Sequence, residues 1–192
     1  MEIGGLLARA TAFAAEAHVG QLRKGTKVPY IVHPMEAAAI CATMTDDEEV
    51  LAAAVLHDTI EDTSTTKEDL EDRFGRRVTE LVLAQSENKR EEQAASATWK
   101  VRKEESLEHM RLTDDLQAKM LYLSDKLANI RSLYRDLERD GDNFWNKFNQ
   151  NDPLEQAWYY RSVAKLLETD LADTFAWQEF ERTVHAVFDR YL

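Results

Sequence analysis

An all-α fold is predicted by three features of this 192-residue chain. Apolar residues recur at helical spacing from one end to the other. Only three prolines and six glycines interrupt them. No run alternates apolar and polar residues as a half-buried strand does. No internal repeat, low-complexity tract or linker divides the chain, so a single helical domain over residues 1–192 is expected.

The elements follow in order. Residues 5–18 place Leu6, Leu7, Ala10, Phe13, Ala14 and Ala17 on one stripe. Residues 19–32 hold two glycines and a proline and read as a loop, with Gly20 and Gly25 free to take unusual backbone angles. His33-Pro34 opens a second helix to about Ala42, proline being tolerated in its first turn. Asp46 with Glu49 has the spacing of a capped start, for a helix running to about Asp58. Thr65 with Glu68 repeats that signature, and Gly75 ends the short helix that follows. A further helix runs from Arg76 to about Gln85 with Val78, Leu81 and Val82 inward. Residues 86–111, highly charged around Trp99, read as a helix with a mobile loop.

Residues 114–138 form the longest predicted helix, with Leu116, Met120, Leu123, Leu127, Ile130 and Leu137 among its apolar positions. Asp140-Gly-Asp-Asn143 ends it. Phe144, Trp145 and Phe148 supply aromatic packing in a connector, and the run up to Pro153 caps a helix to about Asp170. The last segment, 173–190, carries Phe175, Trp177, Phe180 and Phe188, which either cover the core or supply a homo-oligomer interface.

Charge narrows the partners. With 36 acidic against 24 basic residues the net charge is -12, a poor surface for long nucleic acid, whose binding relies on neutralising phosphates. A small phosphorylated ligand stays compatible, since a metal and a few local cations outweigh a distant field. No apolar run reaches the roughly 18 residues of a membrane span. The start, Met-Glu-Ile-Gly-Gly, lacks the regions of a secretory signal. One cysteine, Cys41, allows no internal disulfide and suits a reducing compartment, so a cytoplasmic location is expected.

The chemistry gathers in Ala52–Thr63, where a small-residue apolar run ends in His57-Asp58 and Glu61-Asp62 follow one turn later. A continued helical twist stacks the two pairs on one face. Three carboxylates and an imidazole against an apolar helix are costly to bury without a cation, which points to a metal. Asp125 lies in the most apolar part of the longest helix, with Asn129 one turn on. It needs a partner: Lys126 or Arg131 as a plain ion pair, or a metal. His33 opens a helix after a basic loop, whereas His18 reads mainly as packing, and His109 and His185 as structural or surface groups. Together His33, His57, Asp58 and Asp125 offer two imidazoles and two carboxylates from three helices. That donor set suits Mn, Fe, Ni or Zn, and no thiolate favours a structural zinc.

A histidine, a His-Asp pair and a distant aspartate in helices resemble the HD phosphohydrolase superfamily. The run from Ala17 to Pro34, which contains Gln-Leu-Arg-Lys-Gly, is similar to the opening motif of RelA/SpoT-type alarmone hydrolases. Leu56–Thr63 and Leu123–Arg131 resemble that family's second and third motifs, and the resemblance spans roughly residues 5–170. It implies an HD-domain helical bundle with a metal between helices. It further implies a stand-alone small alarmone hydrolase, since no synthetase domain follows. Such enzymes use Mn to remove the 3′-pyrophosphate of ppGpp or pppGpp. By position His33, His57, Asp58 and Asp125 hold the metal, while Glu61 and Asp62 serve the attacking water and the leaving group. Arg23, Lys24 and Asn129 contact the nucleotide, Arg23 by stacking on the base.

Ser124 departs from the alanine common in the third motif. Lys100, Arg102 and Lys103 read equally as phosphate contacts or a solvated face, and Tyr159 and Tyr160 as core or pocket wall. The same scaffold admits ppApp-type alarmones, the 2′-phosphate of NADPH, or a non-catalytic nucleotide-sensing role.

Overall fold

The computed structural model describes residues 5–86, 90 and 92–192. Among these every regular element is helical: α1 (Leu6–Ala17), α2 (Val32–Cys41), α3 (Glu48–Leu56), α4 (Thr59–Asp62), α5 (Lys67–Phe74), α6 (Arg76–Gln85), α7 (Ala95–Leu112), α8 (Leu116–Asp140), α9 (Pro153–Leu171) and α10 (Phe175–Phe188). A 3-10 segment, Gly141–Lys147, links α8 to α9. Part of the mobile loop expected within 86–111 falls on residues 87–89 and 91, outside the described residues.

α8 is the axis of the molecule, packed by α2, α3, α6, α9 and α10. The Asp115 side chain caps it by accepting from the amides of Gln117 and Ala118, which satisfies donors that the first turn leaves free. Arg77 of α6 grips the same carboxylate with both terminal nitrogens, at 2.7 and 3.0 Å. Gln117 reaches on to Asp47 at the head of α3. One polar cluster thereby fixes three helices near the start of α8.

Two predicted starts move by one residue. Asp47, not Asp46, accepts the Glu49 amide at the head of α3. Thr66, not Thr65, forms the capping box, exchanging bonds with Asp69. Thr65 is bonded to Thr63 instead. The helix expected to reach Asp58 stops at Leu56. There side chains take over the carbonyls that helical amides would use: His57 Nδ1 bonds the Ala54 oxygen and the Thr59 hydroxyl bonds that of Leu56. Leu116 and Phe175 sit exposed in first turns, so of the two readings left open for Phe175 the core is not the one it takes. Trp177, Phe180 and Phe188 are buried in the core.

Residues 18–31 are a loop, as expected, but a tied one. Leu22 and Pro29 face each other as an isolated antiparallel bridge. Arg23 N donates to Val28 O at 2.8 Å, and Tyr30 N to Gln21 O at 2.9 Å. Gly25, with a φ of +75°, makes the tip, and an added Cβ there would stand 3.1 Å from the Lys147 side chain.

Candidate active site

α2, the α3–α4 junction and α8 each deliver part of one cluster. His33 Nε2 lies 3.5 Å from Asp58 Oδ2 and 3.0 Å from Asp125 Oδ1. His57 Nε2 lies 3.1 and 3.5 Å from the same two oxygens. Ligand atoms about 2.1 Å from a common divalent ion fall roughly 3.0 to 3.4 Å from their neighbours, so the spacing is that of a coordination shell. His33, His57 and Asp58 form a set whose ligand atoms all lie within 4.8 Å of one another. Asp125 meets both imidazoles through Oδ1 but is not part of that set.

The tautomer fits a metal as well. A carbonyl can only accept, so His57 Nδ1 carries the proton that it donates to Ala54, at 2.8 Å. Nε2 is left to face the cluster, buried and without a well-formed hydrogen bond. Burial alone would depress the His57 pKa, but the Asp58 and Asp125 carboxylates outweigh it and raise the imidazole well above its usual range. Burial would likewise raise both aspartates. The His57 imidazole beside Asp58, and Lys126 beside Asp125, hold them well below the usual carboxylate range. In the absence of an ion the His57 imidazole is therefore drawn toward protonation, and a divalent cation would replace that charge.

Asp125 makes the Lys126 ion pair that one sequence reading gave it and also faces the imidazoles. Its Oδ2 takes the Lys126 ammonium at 2.5 Å, while Oδ1 faces the imidazoles and accepts from Asn129 Nδ2 at 2.7 Å. Arg131, the other candidate partner, turns away to clamp Glu179 of α10 with two bonds and to reach Glu36 of α2. Glu61 and Asp62 occupy the single turn α4, half-buried, directly after the cluster. Across the break at His57, Asp62 N still bonds Asp58 O at 2.9 Å, so that pair keeps its helical spacing.

Above the cluster opens a cleft of about 270 Å³ lined by the cations Arg23, Lys24, Lys103, Lys126 and Lys147. Its floor consists of Tyr30, Lys126 and Asn129, each bonded to one of the cluster aspartates. Arg23 Nη2 donates to Asn129 Oδ1 at 3.2 Å, joining the tied loop to α8. A basic cleft on a chain of net charge -12 concentrates positive potential at one place, which suits a small polyanion.

The structure separates the three cations that the sequence could not. Lys103 lines the cleft, Lys100 pairs with Glu155 over Trp158, and Arg102 faces a different hollow beside Ser86 and His109. Tyr159 and Tyr160 form cleft wall. His109 and His185 are exposed. His18 is buried, its ring 4.9 Å from that of Tyr30 and its Nδ1 against Gln21. Sequence reasoning missed Tyr30 and Lys147. Tyr30 lies inside the first quoted motif, three residues before His33, and that spacing was its only signal. Lys147 had none, because only the fold brings it to Asp136 and the Gly25 tip.

Two imidazoles and two carboxylates, presented by facing helices beside a cationic cleft, make a helical protein with a candidate divalent-metal site next to a cleft suited to an anion. The chain belongs to the HD domain family, whose model matches residues 10–152. It is 39% identical over 132 residues to a guanosine-3′,5′-bis(diphosphate) 3′-pyrophosphohydrolase of Aquifex aeolicus, covering 66% of this chain and 17% of that protein. It is 40% identical over 126 residues to the guanosine-3′,5′-bis(diphosphate) 3′-pyrophosphohydrolase MESH1 of Danio rerio, covering 64% of this chain and 66% of that protein. A metazoan ortholog of SpoT that hydrolyzes ppGpp superposes with a TM-score of 0.70 at 25% identity, covering 99% of this chain and 97% of its own. The chain thus spans only a small part of its longer relatives, with no helix among the described residues long and apolar enough to cross a membrane.

Proposed function

We propose that residues 1–192 act as one cytoplasmic, Mn-dependent hydrolase that removes the 3′-pyrophosphate of ppGpp or pppGpp, leaving GDP or GTP. The observation that carries this reading is the join between cluster and cleft. Tyr30, Lys126 and Asn129 each bond a cluster aspartate and line the cationic cleft. A phosphate held by the cleft cations therefore lies beside the metal ligands.

His33, His57, Asp58 and Asp125 would hold the ion, which when bound acidifies a water and polarises a phosphoryl oxygen. Arg23 and Lys24 seat the nucleotide, and the planar guanidinium of Arg23 is suited to stack on the base. Asn129, already bonded to both Arg23 and Asp125, aligns ribose or phosphate with the cluster. Glu61 takes a proton from the attacking water as its oxygen bonds to the phosphorus carried by the ribose 3′-oxygen. Asp62 protonates that 3′-oxygen as its bond to phosphorus breaks, and pyrophosphate departs.

With Mn, the purified protein is expected to release pyrophosphate from ppGpp. A Glu61→Ala, Asp62→Ala double variant is expected to lose about 100- to 10,000-fold in kcat, the usual reach of acid–base catalysis. Undiminished turnover by that variant would sink the mechanism. The same assay over ppApp and NADPH fixes the substrate, and exclusive cleavage of NADPH would refute the alarmone reading.

A further inference from the structure

Tyr30 sits where the tied loop, the ligand cluster and the cleft meet. Its hydroxyl lies 2.7 Å from Asp58 Oδ2 and 3.0 Å from Asp62 Oδ2. The Asp58 oxygen it touches is the one that faces both imidazoles. The phenol ring stands edge-on to His33, with centroids 5.9 Å apart, and the Arg23 guanidinium lies 5.7 Å from its centre. Gln21 fixes the arrangement from behind: its carbonyl accepts from Tyr30 N, and its side chain donates to the Asp62 carbonyl at 2.7 Å. One side chain thus touches a metal ligand, the carboxylate assigned to the leaving group and the arginine assigned to the base.

We infer that Tyr30 is a positioning residue that couples nucleotide seating to the two carboxylates of the reaction. The hydroxyl aims Asp58 at the metal and holds Asp62 in register with it. The ring supports Arg23. Without the hydroxyl the two carboxylates lose the donor that they share. A phenol carries one proton, so the shorter bond to Asp58 takes most of it and the contact to Asp62 is the more yielding one. That suits a carboxylate that must move a proton. The assignment of Asp62 rests on the function proposed above, whereas the effect on metal binding does not.

The test compares Tyr30→Phe, which keeps the ring, with Tyr30→Leu, which removes it. Mn affinity is read by calorimetry, and kcat and KM with ppGpp. Tyr30→Phe is expected to weaken Mn binding and lower kcat by about 10- to 100-fold each, the usual effect of losing an outer-layer partner of a metal ligand. Its KM is expected to stay within about threefold of the parent, because uniform substrate binding is retained. Tyr30→Leu is expected to raise KM as well. Unchanged Mn affinity and kcat in Tyr30→Phe would overturn the inference, as would a rise in KM alone. A fall of more than about 8 °C in the unfolding midpoint of Tyr30→Phe would mark the residue as core packing and overturn it too. If the parent protein fails to hydrolyse ppGpp, the proposed function falls, and Mn calorimetry still decides the role of Tyr30.

Discussion

The two halves of the core are built from different materials. α1 packs on α3, where α1 buries Ala10 and Ala14, and α3 buries Ala52, Ala53 and Ala54 beside Val50, Val55 and Leu56. Behind the cleft the core is aromatic. Trp145 stacks on Phe188 at 5.9 Å, and Tyr160 meets both Phe188 and Phe180. Alanine lets helix backbones approach closely and has no rotamer to misplace, so the α3 end that bears His57 and Asp58 is seated by backbone geometry. Rings fill volume and make a broad wall, which Tyr160 carries to the cleft surface. The small-residue half locates a point, and the aromatic half supports a surface.

The largest expected stability effect tests the aromatic half. Phe180→Ala should cost about 3 to 5 kcal/mol in denaturant unfolding. Its Mn affinity should stay within a few-fold of the parent, because none of the rings meeting Phe180 bonds a cluster ligand. A parallel tenfold loss of Mn binding would erase the distinction between the halves.

Metal removal comes next. Stripping with a chelator should withdraw about 2.7 kcal/mol relative to protein in Mn at a hundred times its dissociation constant, read as a drop in unfolding midpoint. Full recovery on adding Mn back is expected. No difference between stripped and loaded protein would contradict a site formed by folding.

Ala53→Leu probes the alanine half. Overpacking should cost about 1 to 3 kcal/mol, and here Mn affinity should fall with stability because α3 is pushed off its seat. Intact Mn binding in a destabilised Ala53→Leu protein would show that small-residue packing does not set the ligands.

The smallest effect concerns the start of α8, which serves both halves. The bond from Arg77 holds Asp115 below the usual carboxylate range. A folded value lowered in this way adds stability that is fully present above the ordinary aspartate value of about 4 and is lost as pH falls through the depressed one. Both side chains are about a third exposed, so the contribution should not exceed about 1 kcal/mol. Asp115→Asn should flatten acid unfolding in that window, and an unchanged pH profile would remove the pair from the account.

What the sequence made legible was contiguous. His57-Asp58 and Glu61-Asp62 are neighbours in the chain, and Asp125 betrayed itself as a charge in an apolar helix. Single-residue choices between like neighbours were not legible: Asp46 against Asp47 and Thr65 against Thr66 differ only in which hydroxyl or carboxylate finds its amide. The stop at Leu56 depends on side chains bonding carbonyls, which no periodicity reports. The cleft was least legible, because Lys103 and Lys147 reach it only through the packing of α7, α9 and the 3-10 segment.

In the proposed function, cluster and cleft act on one bond, that between the ribose 3′-oxygen and phosphorus. Mass-resolved products of ppGpp with the Mn-loaded protein test it directly. GDP and intact pyrophosphate are expected in equal amounts. Orthophosphate with a guanosine tetraphosphate shortened one phosphate at a time would contradict it.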